Sequence, residues 1–116
     1  MDSVSKSKME KIDKAVYFNK LLSTYKPLLS STQKEILEAY YCFDLSLSEI
    51  ATERNISRAA VDDALQKGCS KLEELEKEMH LVENKEEILK ITAKLKKNAF
   101  NNEEIKDLED IERRLN

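Results

Sequence analysis

The chain has 116 residues, enough for one modest hydrophobic core but not for a deep catalytic cavity. Charged residues make up 37% of it, and its one Gly and one Pro leave long stretches free of helix breakers, which predicts an all-α protein. The 23 acidic and 20 basic residues give a net charge of −3, whereas small proteins that bind phosphate backbones usually carry an excess of Lys and Arg.

The N-terminal segment is polar. Residues 1–11 carry few apolar side chains, and we expect them to form a frayed end. No apolar stretch with the length of a secretory signal or a membrane span follows, which predicts a cytoplasmic protein. Cys42 and Cys69 have no further Cys or His at metal-ligand spacing. We therefore expect both cysteines to be reduced and packed as small core residues, and we predict no metal site.

Two helices are predicted before the centre of the chain. Apolar residues at helical spacing predict the first helix over residues 12–25, and Pro27 ends it because the residue before a proline is pushed out of the helical region. Ser30 and Gln33 then match a capping box of the Ser-x-x-Gln form. This box predicts the start of a second helix, which we expect to reach about Tyr41.

Residues 46–67 have the layout of a helix-turn-helix motif. Ser46 begins a capping box of the Ser-x-x-Glu form, which predicts a short first helix. Asn55 tolerates the left-handed conformation that a tight turn requires, and Ile56 is expected to pack into the core from the turn. Ser57 is the expected N-cap of the second helix of the motif.

The second helix of the motif is predicted to continue beyond the length that a helix-turn-helix needs. Its apolar residues alternate at intervals of four and three over three heptads, which predicts one helix from Ser57 to Val82. The residues of this pattern are Val61, Leu65, Gly68, Leu72, Leu75, Met79 and Val82. The core of the protein is therefore expected to span residues 12–83.

Two further helices are predicted in residues 84–116, with Asn84 and Asn101 as their N-caps. The last helix carries one stripe of apolar residues at helical spacing. Two arrangements remain open. The C-terminal helices fold back on the core of the same chain, or part of their apolar surface packs on a second copy and forms a homodimer.

Three blocks of residues follow one another in an order and spacing that are more specific than a helix-turn-helix pattern alone. They resemble the YlxM family, bacterial proteins with a helix-turn-helix akin to region four of sigma factors. The resemblance covers about residues 25–72 and implies a sigma-region-four-like helix-turn-helix core with a long recognition helix and C-terminal helices. The blocks are Tyr25-x-x-Leu28-Leu29-Ser30-x-x-Gln33-Lys34, Tyr40-Tyr41-x-x-Asp44-x-Ser46-Leu47-x-Glu49-Ile50-Ala51 and Ile56-Ser57-Arg58-x-Ala60-Val61-x-Asp63.

The resemblance also implies a function. The genes of the family lie beside those for the signal recognition particle GTPase and its receptor, which implies a regulatory or accessory role in protein targeting, with that GTPase or its RNA complex as partner. The alternative that the fold implies is a DNA-binding transcriptional regulator that uses residues 46–67.

Catalysis has little support in the sequence. His80 is the only histidine, no Ser or Cys has an identifiable base partner, and no Gly-rich phosphate loop is present. We therefore predict a non-enzymatic protein with no catalytic residue and no cofactor.

The exposed residues at the start of the second helix of a helix-turn-helix reach base edges in the major groove of DNA. Arg and Gln side chains can read guanine and adenine, whereas carboxylates repel phosphates. The family often has Gln and Tyr where this chain has Ala59 and Asp62, so we expect weak DNA contact and a motif that acts mainly as a scaffold. The candidate nucleic-acid-facing residues are Arg58, Ala59, Asp62, Asp63, Gln66 and Lys67.

Basic side chains have a simpler interpretation as solvated charges. Arg58 and Asp62 are four residues apart, where a helical ion pair can form. Lys90, Lys94 and Lys97 fall on one face of a predicted helix, which is typical of a solvated surface; the alternative is contact with an anionic partner such as RNA.

Overall fold

The structure is a computed structural model that describes the backbone of residues 3–116 and the side chains from Glu10 onward. The described part is helical and contains no strand, which confirms the predicted all-α fold. The chain divides between Met79 and His80 into two compact units. The α-helices are α1 Ser3–Tyr25, α2 Ser31–Leu37, α3 Leu47–Arg54, α4 Arg58–Met79, α5 Leu81–Lys97 and α6 Asn102–Leu115.

Helix α1 begins earlier than the sequence predicts. The backbone of residues 3–11 is helical, whereas residues 1–11 were expected to be frayed. No Pro or Gly lies between Ser3 and Tyr25, so nothing in this stretch interrupts helix propagation. Met1 and Asp2 lie outside the described residues. The end of α1 at Tyr25 agrees with the prediction, and Pro27 lies in the 3₁₀ turn that follows.

The core of the first unit forms where α1, α2 and α3 pack against α4. Gly68 allows a close approach of two helices, since a Cβ atom there would lie 2.7 Å from Cδ1 of Leu37 in α2. Helix α1 also contacts the far half of α4, where the hydroxyl of Tyr25 donates a 2.6 Å hydrogen bond to Oε1 of Glu76. The largest fully buried side chains are Leu21, Tyr25, Ile36, Leu37, Ile50, Val61 and Leu72.

A π-helical turn, Glu38–Cys42, follows α2, whereas the sequence predicts an α-helix that continues to about Tyr41. The wider turn is closed by the amide of Phe43, which donates to the carbonyl oxygen of Glu38 at 3.0 Å. Within this turn Tyr41 stacks on the buried Phe18 of α1, with ring centroids 5.3 Å apart. A π turn changes which side chains face the core, and periodicity of 3.6 residues does not predict it.

The boundary between α4 and α5 differs from the predicted one. Helix α4 ends at Met79, three residues before the predicted end at Val82, because His80 adopts a left-handed conformation with a φ of 54°. Helix α5 begins at Leu81, so Asn84 lies inside the helix and is not its N-cap. The heptad pattern continues through this break, and for that reason spacing alone did not reveal it.

The second unit is a pair of helices, α5 and α6. Asn101 is the N-cap of α6 as predicted, since its Oδ1 accepts a 2.8 Å hydrogen bond from the amide of Glu104. Glu112 of α6 joins the helices: it accepts a 3.0 Å hydrogen bond from the hydroxyl of Thr92 and forms a 3.0 Å ion pair with Lys96. In the described part of the chain, no helix is long and apolar enough to cross a bilayer.

Candidate nucleic-acid interface

Helix α3 begins with a reciprocal capping box, which confirms the prediction from sequence. The amide of Glu49 donates to Oγ of Ser46, and the amide of Ser46 donates to Oε1 of Glu49, both at 3.1 Å. The hydrogen bond from the Ser46 backbone holds the pKa of Glu49 below its ordinary value. The box stabilises the first turn of α3, because it provides acceptors for two backbone amides that have no partner within the helix.

The turn between α3 and α4 is built on Asn55, whose φ of 56° and ψ of 46° place it in the predicted left-handed region. Ser57 caps α4 as predicted, since its Oγ accepts from the amide of Ala60 at 3.0 Å. The expectation for Ile56 was wrong: its side chain is 40% exposed. The buried apolar side chains of α3 and the start of α4 are instead Ile50, Ala51, Val61 and Leu65.

The structure brings the candidate nucleic-acid-facing residues together on the first three turns of α4. Asp62 is half-buried and the others are exposed. These positions share one side of the helix, where a groove of DNA would be met in a helix-turn-helix complex. They are Arg58, Ala59, Asp62, Asp63, Gln66 and Lys67.

Most polar groups on this face are engaged with one another. The side-chain amide of Gln66 donates to Oδ2 of Asp62 at 3.1 Å, and Lys67 forms a 3.0 Å ion pair with Asp63. The expected pair between Arg58 and Asp62 is absent, and Asp62 accepts from Gln66. Arg58 makes no ion pair with any residue whose side chain the structure describes.

Helix α3 contributes no free cation to this face either. Arg54 forms a 2.8 Å ion pair with Glu35 of α2, a partner that sequence spacing did not indicate. With Arg54 and Lys67 neutralised, Arg58 is the cation of residues 46–67 that remains without a described carboxylate partner. Lys67 and Asp63 offset each other on this face, which leaves the charge of Arg58 matched by that of Asp62. The face therefore offers no excess of positive charge to an approaching phosphate.

An open pocket of about 490 Å³ lies in the first unit beside the start of α3. Its lining includes Lys11 and Lys14 of α1, Asp44, Glu49 and Tyr40. The two lysines and the two carboxylates give the pocket lining a net formal charge of zero. No cluster of His, Cys, Asp or Glu among the described side chains is arranged to hold a metal ion.

The two cysteines are both free thiols. Cys69 is half-buried, its Sγ lies 3.5 Å from the hydroxyl of Tyr41, and burial raises the pKa of this thiol. Cys42 is exposed, so its expected place in the core was wrong. It lies at the end of the π-helical turn, where its thiol donates to Oδ1 of Asn19 at 3.2 Å.

Lys90, Lys94 and Lys97 of α5 are exposed, as a solvated helix face requires. Lys90 forms a 3.4 Å pair with Glu87 of the same helix. Lys94 and Lys97 lie on the same exposed side. Contact of this group with RNA stays a prediction.

The capped α3, the left-handed turn residue and the long α4 define a helix-turn-helix protein. The chain belongs to the UPF0122 family, described as "Putative helix-turn-helix protein, YlxM / p13 like", whose model matches residues 12–111. This match confirms the resemblance to YlxM proteins and places the chain among helix-turn-helix proteins of a regulatory or DNA-binding type.

Relatives named UPF0122 protein come from several bacteria. The chain is 37% identical over 107 residues to one from Mycoplasma capricolum, an alignment that covers 91% of this chain and 95% of the relative. A relative from Lacticaseibacillus casei is 47% identical over 73 residues, 63% of this chain and 65% of the relative. One from Bacillus cereus is 38% identical over 85 residues, 73% of this chain and 77% of the relative.

Proposed function

We propose that the chain is a non-enzymatic regulatory protein of the signal recognition particle pathway that acts through protein or ribonucleoprotein contacts. The proposed partner is the signal recognition particle GTPase or its RNA complex. Membership of a YlxM-like family supports this pathway. The resemblance to that family implies genes that lie beside those for the GTPase and its receptor. In this proposal the helix-turn-helix is a scaffold that positions other surfaces.

The charge balance of the exposed α4 face is the observation that supports a scaffold role for the helix-turn-helix. Affinity for DNA that does not depend on sequence comes from cations that neutralise phosphates. Here Lys67 is already paired with Asp63 at 3.0 Å, and Asp62 adds a second carboxylate beside it. The two cations of this face, Arg58 and Lys67, are thus matched by two carboxylates, so the face supports weak DNA binding at most.

Binding of the full chain to the signal recognition particle GTPase tests the proposed partner. The GTPase is presented with its RNA and without it, which separates a ribonucleoprotein contact from a protein contact. We expect binding at micromolar concentrations and a changed rate of GTP hydrolysis. If neither binding nor a change in GTP hydrolysis is measured in either form, the proposed partner is wrong.

A DNA-binding transcriptional regulator is the second candidate. It is favoured by Arg58, which is exposed in the first turn of α4, where Arg side chains read guanine in helix-turn-helix complexes. Gln66 is exposed on the same face but donates to Asp62, so reading adenine would require it to leave that carboxylate. This candidate therefore depends chiefly on one side chain.

Selection from a pool of random DNA duplexes at low salt distinguishes the two candidates. The scaffold proposal expects no enriched sequence. A regulator requires one enriched sequence, with binding lost on Arg58→Ala and retained on Lys71→Ala. Lys71 is the matched control because it is an exposed cation farther along the same helix. Enrichment with that pattern would overturn the scaffold role.

A further inference from the structure

The α5–α6 unit buries little of its own apolar surface. The structure describes every residue from 80 to 116, and Thr92 is the only buried one. Its contact between helices is partly polar, through Glu112 with Thr92 and Lys96. Helical stability in proteins comes mostly from packing of an apolar face, so two helices with this little burial leave a packing surface unused.

One exposed stripe of α5 has the spacing of a coiled-coil seam. Leu81, Ile88 and Leu95 are separated by seven residues, and Ile91 lies between the last two at the second heptad position. Their side chains are 44%, 38%, 50% and 55% exposed for Leu81, Ile88, Leu95 and Ile91, respectively. The side chains that meet α6, Thr92 and Lys96, lie on the neighbouring face of the helix. We call these four apolar residues the α5 stripe.

We propose that the α5 stripe is the interface between two copies of this chain, paired with their α5 helices antiparallel. The charges beside the stripe favour a second copy as its occupant. In an antiparallel pair, Ile88 of one copy lies opposite Ile91 of the other, and this register places Glu87 of each copy opposite Lys94 of the other. The same helix thus carries both halves of two identical ion pairs, as a two-fold interface requires. Glu87 exchanges its exposed 3.4 Å pair with Lys90 for the pair across the interface.

A parallel pair lacks this complementarity. The residue opposite Glu87 would then be Thr92, which is buried and already bonded to Glu112. The antiparallel register also places Leu95 opposite Asn84 and Leu81 opposite Asn98, so the apolar centre of the seam is short. A seam of this size gives a reversible dimer with a dissociation constant on the order of micromolar.

Sedimentation velocity of the full chain across the micromolar range tests the dimer. We expect a shift from monomer to dimer with rising concentration. Ile91→Glu should weaken association by about a hundredfold, because it places a charge in the seam. Since Ile91 is more than half exposed, the helix content of the variant should not change. A wild-type monomer at every concentration, or an unweakened variant, would overturn the proposal.

Charge exchange tests the register. Glu87→Lys and Lys94→Glu each convert both ion pairs into like-charge pairs, so each variant alone should associate about tenfold more weakly. An equimolar mixture of the two variants should associate as strongly as the wild type, because every pair then joins opposite charges. The double variant should recover in the same way, which separates lost pairing from misfolding.

Lys106→Glu is the matched control, since Lys106 is an exposed lysine of α6 away from the stripe. It should leave association unchanged. Failure of the mixture and of the double variant to recover would overturn the antiparallel arrangement. A monomer in which the α5 stripe packs against its own chain would also overturn the proposed dimer.

Discussion

The hydroxyl of Tyr25, at the end of α1, donates a 2.6 Å hydrogen bond to Oε1 of Glu76, one turn before the end of α4. The two residues are 51 positions apart in the chain. Tyr25 is completely buried, so its polar atom needs a partner, and Glu76 provides one with a charge. This contact holds α1 along the part of α4 that extends beyond the helix-turn-helix.

Tyr25→Phe should lower the free energy of unfolding by about 1–2 kcal/mol, since a hydrogen bond to a charged group contributes about 1.5–3 kcal/mol and Glu76 can regain water. Urea unfolding followed by circular dichroism measures the change. Tyr40→Phe is the control, because Tyr40 is half-buried and makes a ring contact with Tyr41 that a Phe retains. Equal losses in both variants would show that the bond to Glu76 contributes nothing.

Gly68→Ala should destabilise the protein by about 1 kcal/mol. Helix propensity alone would make this substitution stabilising by about 1 kcal/mol. The added Cβ would lie 2.7 Å from Cδ1 and 3.2 Å from Cγ of the buried Leu37, however, and overpacking of a core costs about 1–3 kcal/mol. The sign of the change therefore reports whether α2 and α4 pack as closely as the structure indicates.

Thermal and urea unfolding measure the Gly68→Ala variant. Ser70→Ala, at an exposed position of the same helix, is the control and should change the free energy of unfolding by less than about 0.5 kcal/mol. A stabilised Gly68→Ala variant would contradict the close packing of Gly68 on Leu37.

Local signals in the sequence predicted much of the fold. The caps at Ser30, Ser46, Ser57 and Asn101 each depend on residues within one helical turn, and all four are present in the structure. The left-handed Asn55 is a local preference of the same kind. Such features could be read from residue type and spacing because no distant contact is needed to form them.

The predictions from sequence were wrong where distant contacts or backbone irregularities determine the structure. The π-helical turn ends with Cys42 exposed, and no sequence period reveals an added residue in a helical turn. Val82 keeps the heptad spacing although His80 has already ended α4.

On the candidate interface, the six positions could be named from the motif, but their partners could not. Asp62 accepts from Gln66 and makes no pair with Arg58, and Arg54 pairs with Glu35 of another helix. Ion pairs between exposed side chains differ by only tenths of a kcal/mol, so residue spacing does not select among them.

Asn55→Ala should destabilise the helix-turn-helix by about 1–2 kcal/mol. The Cβ of either residue lies close to the following carbonyl oxygen in a left-handed conformation, but only the short polar side chain of Asn can offset this cost by local hydrogen bonding. Asn55→Gly should be within about 0.5 kcal/mol of the wild type, since glycine adopts this conformation without a steric cost. Unfolding by urea measures both variants. If Ala and Gly at this position gave equal stability, the left-handed turn would not be the native conformation.

Acid should weaken the contact between α5 and α6 through Glu112. The hydrogen bond from Lys96, followed by that from Thr92, holds the pKa of Glu112 below its ordinary value of 4.5. A carboxyl group with a lowered folded-state pKa contributes its full stability above the unfolded value and loses it as the pH falls through the folded value. We therefore expect the contribution to be complete above about pH 5 and to disappear below the folded pKa of Glu112.

Titration of the Glu112 side chain by nuclear magnetic resonance measures this pKa directly. Lys96→Met should raise it, because the variant removes the strongest of the groups that stabilise the charged carboxylate. Lys97→Met removes a neighbouring charge that is exposed and does not bond to Glu112, so it should leave the titration nearly unchanged. Identical titration curves for the wild type and Lys96→Met would mean that the 3.0 Å pair between Lys96 and Glu112 does not persist in solution.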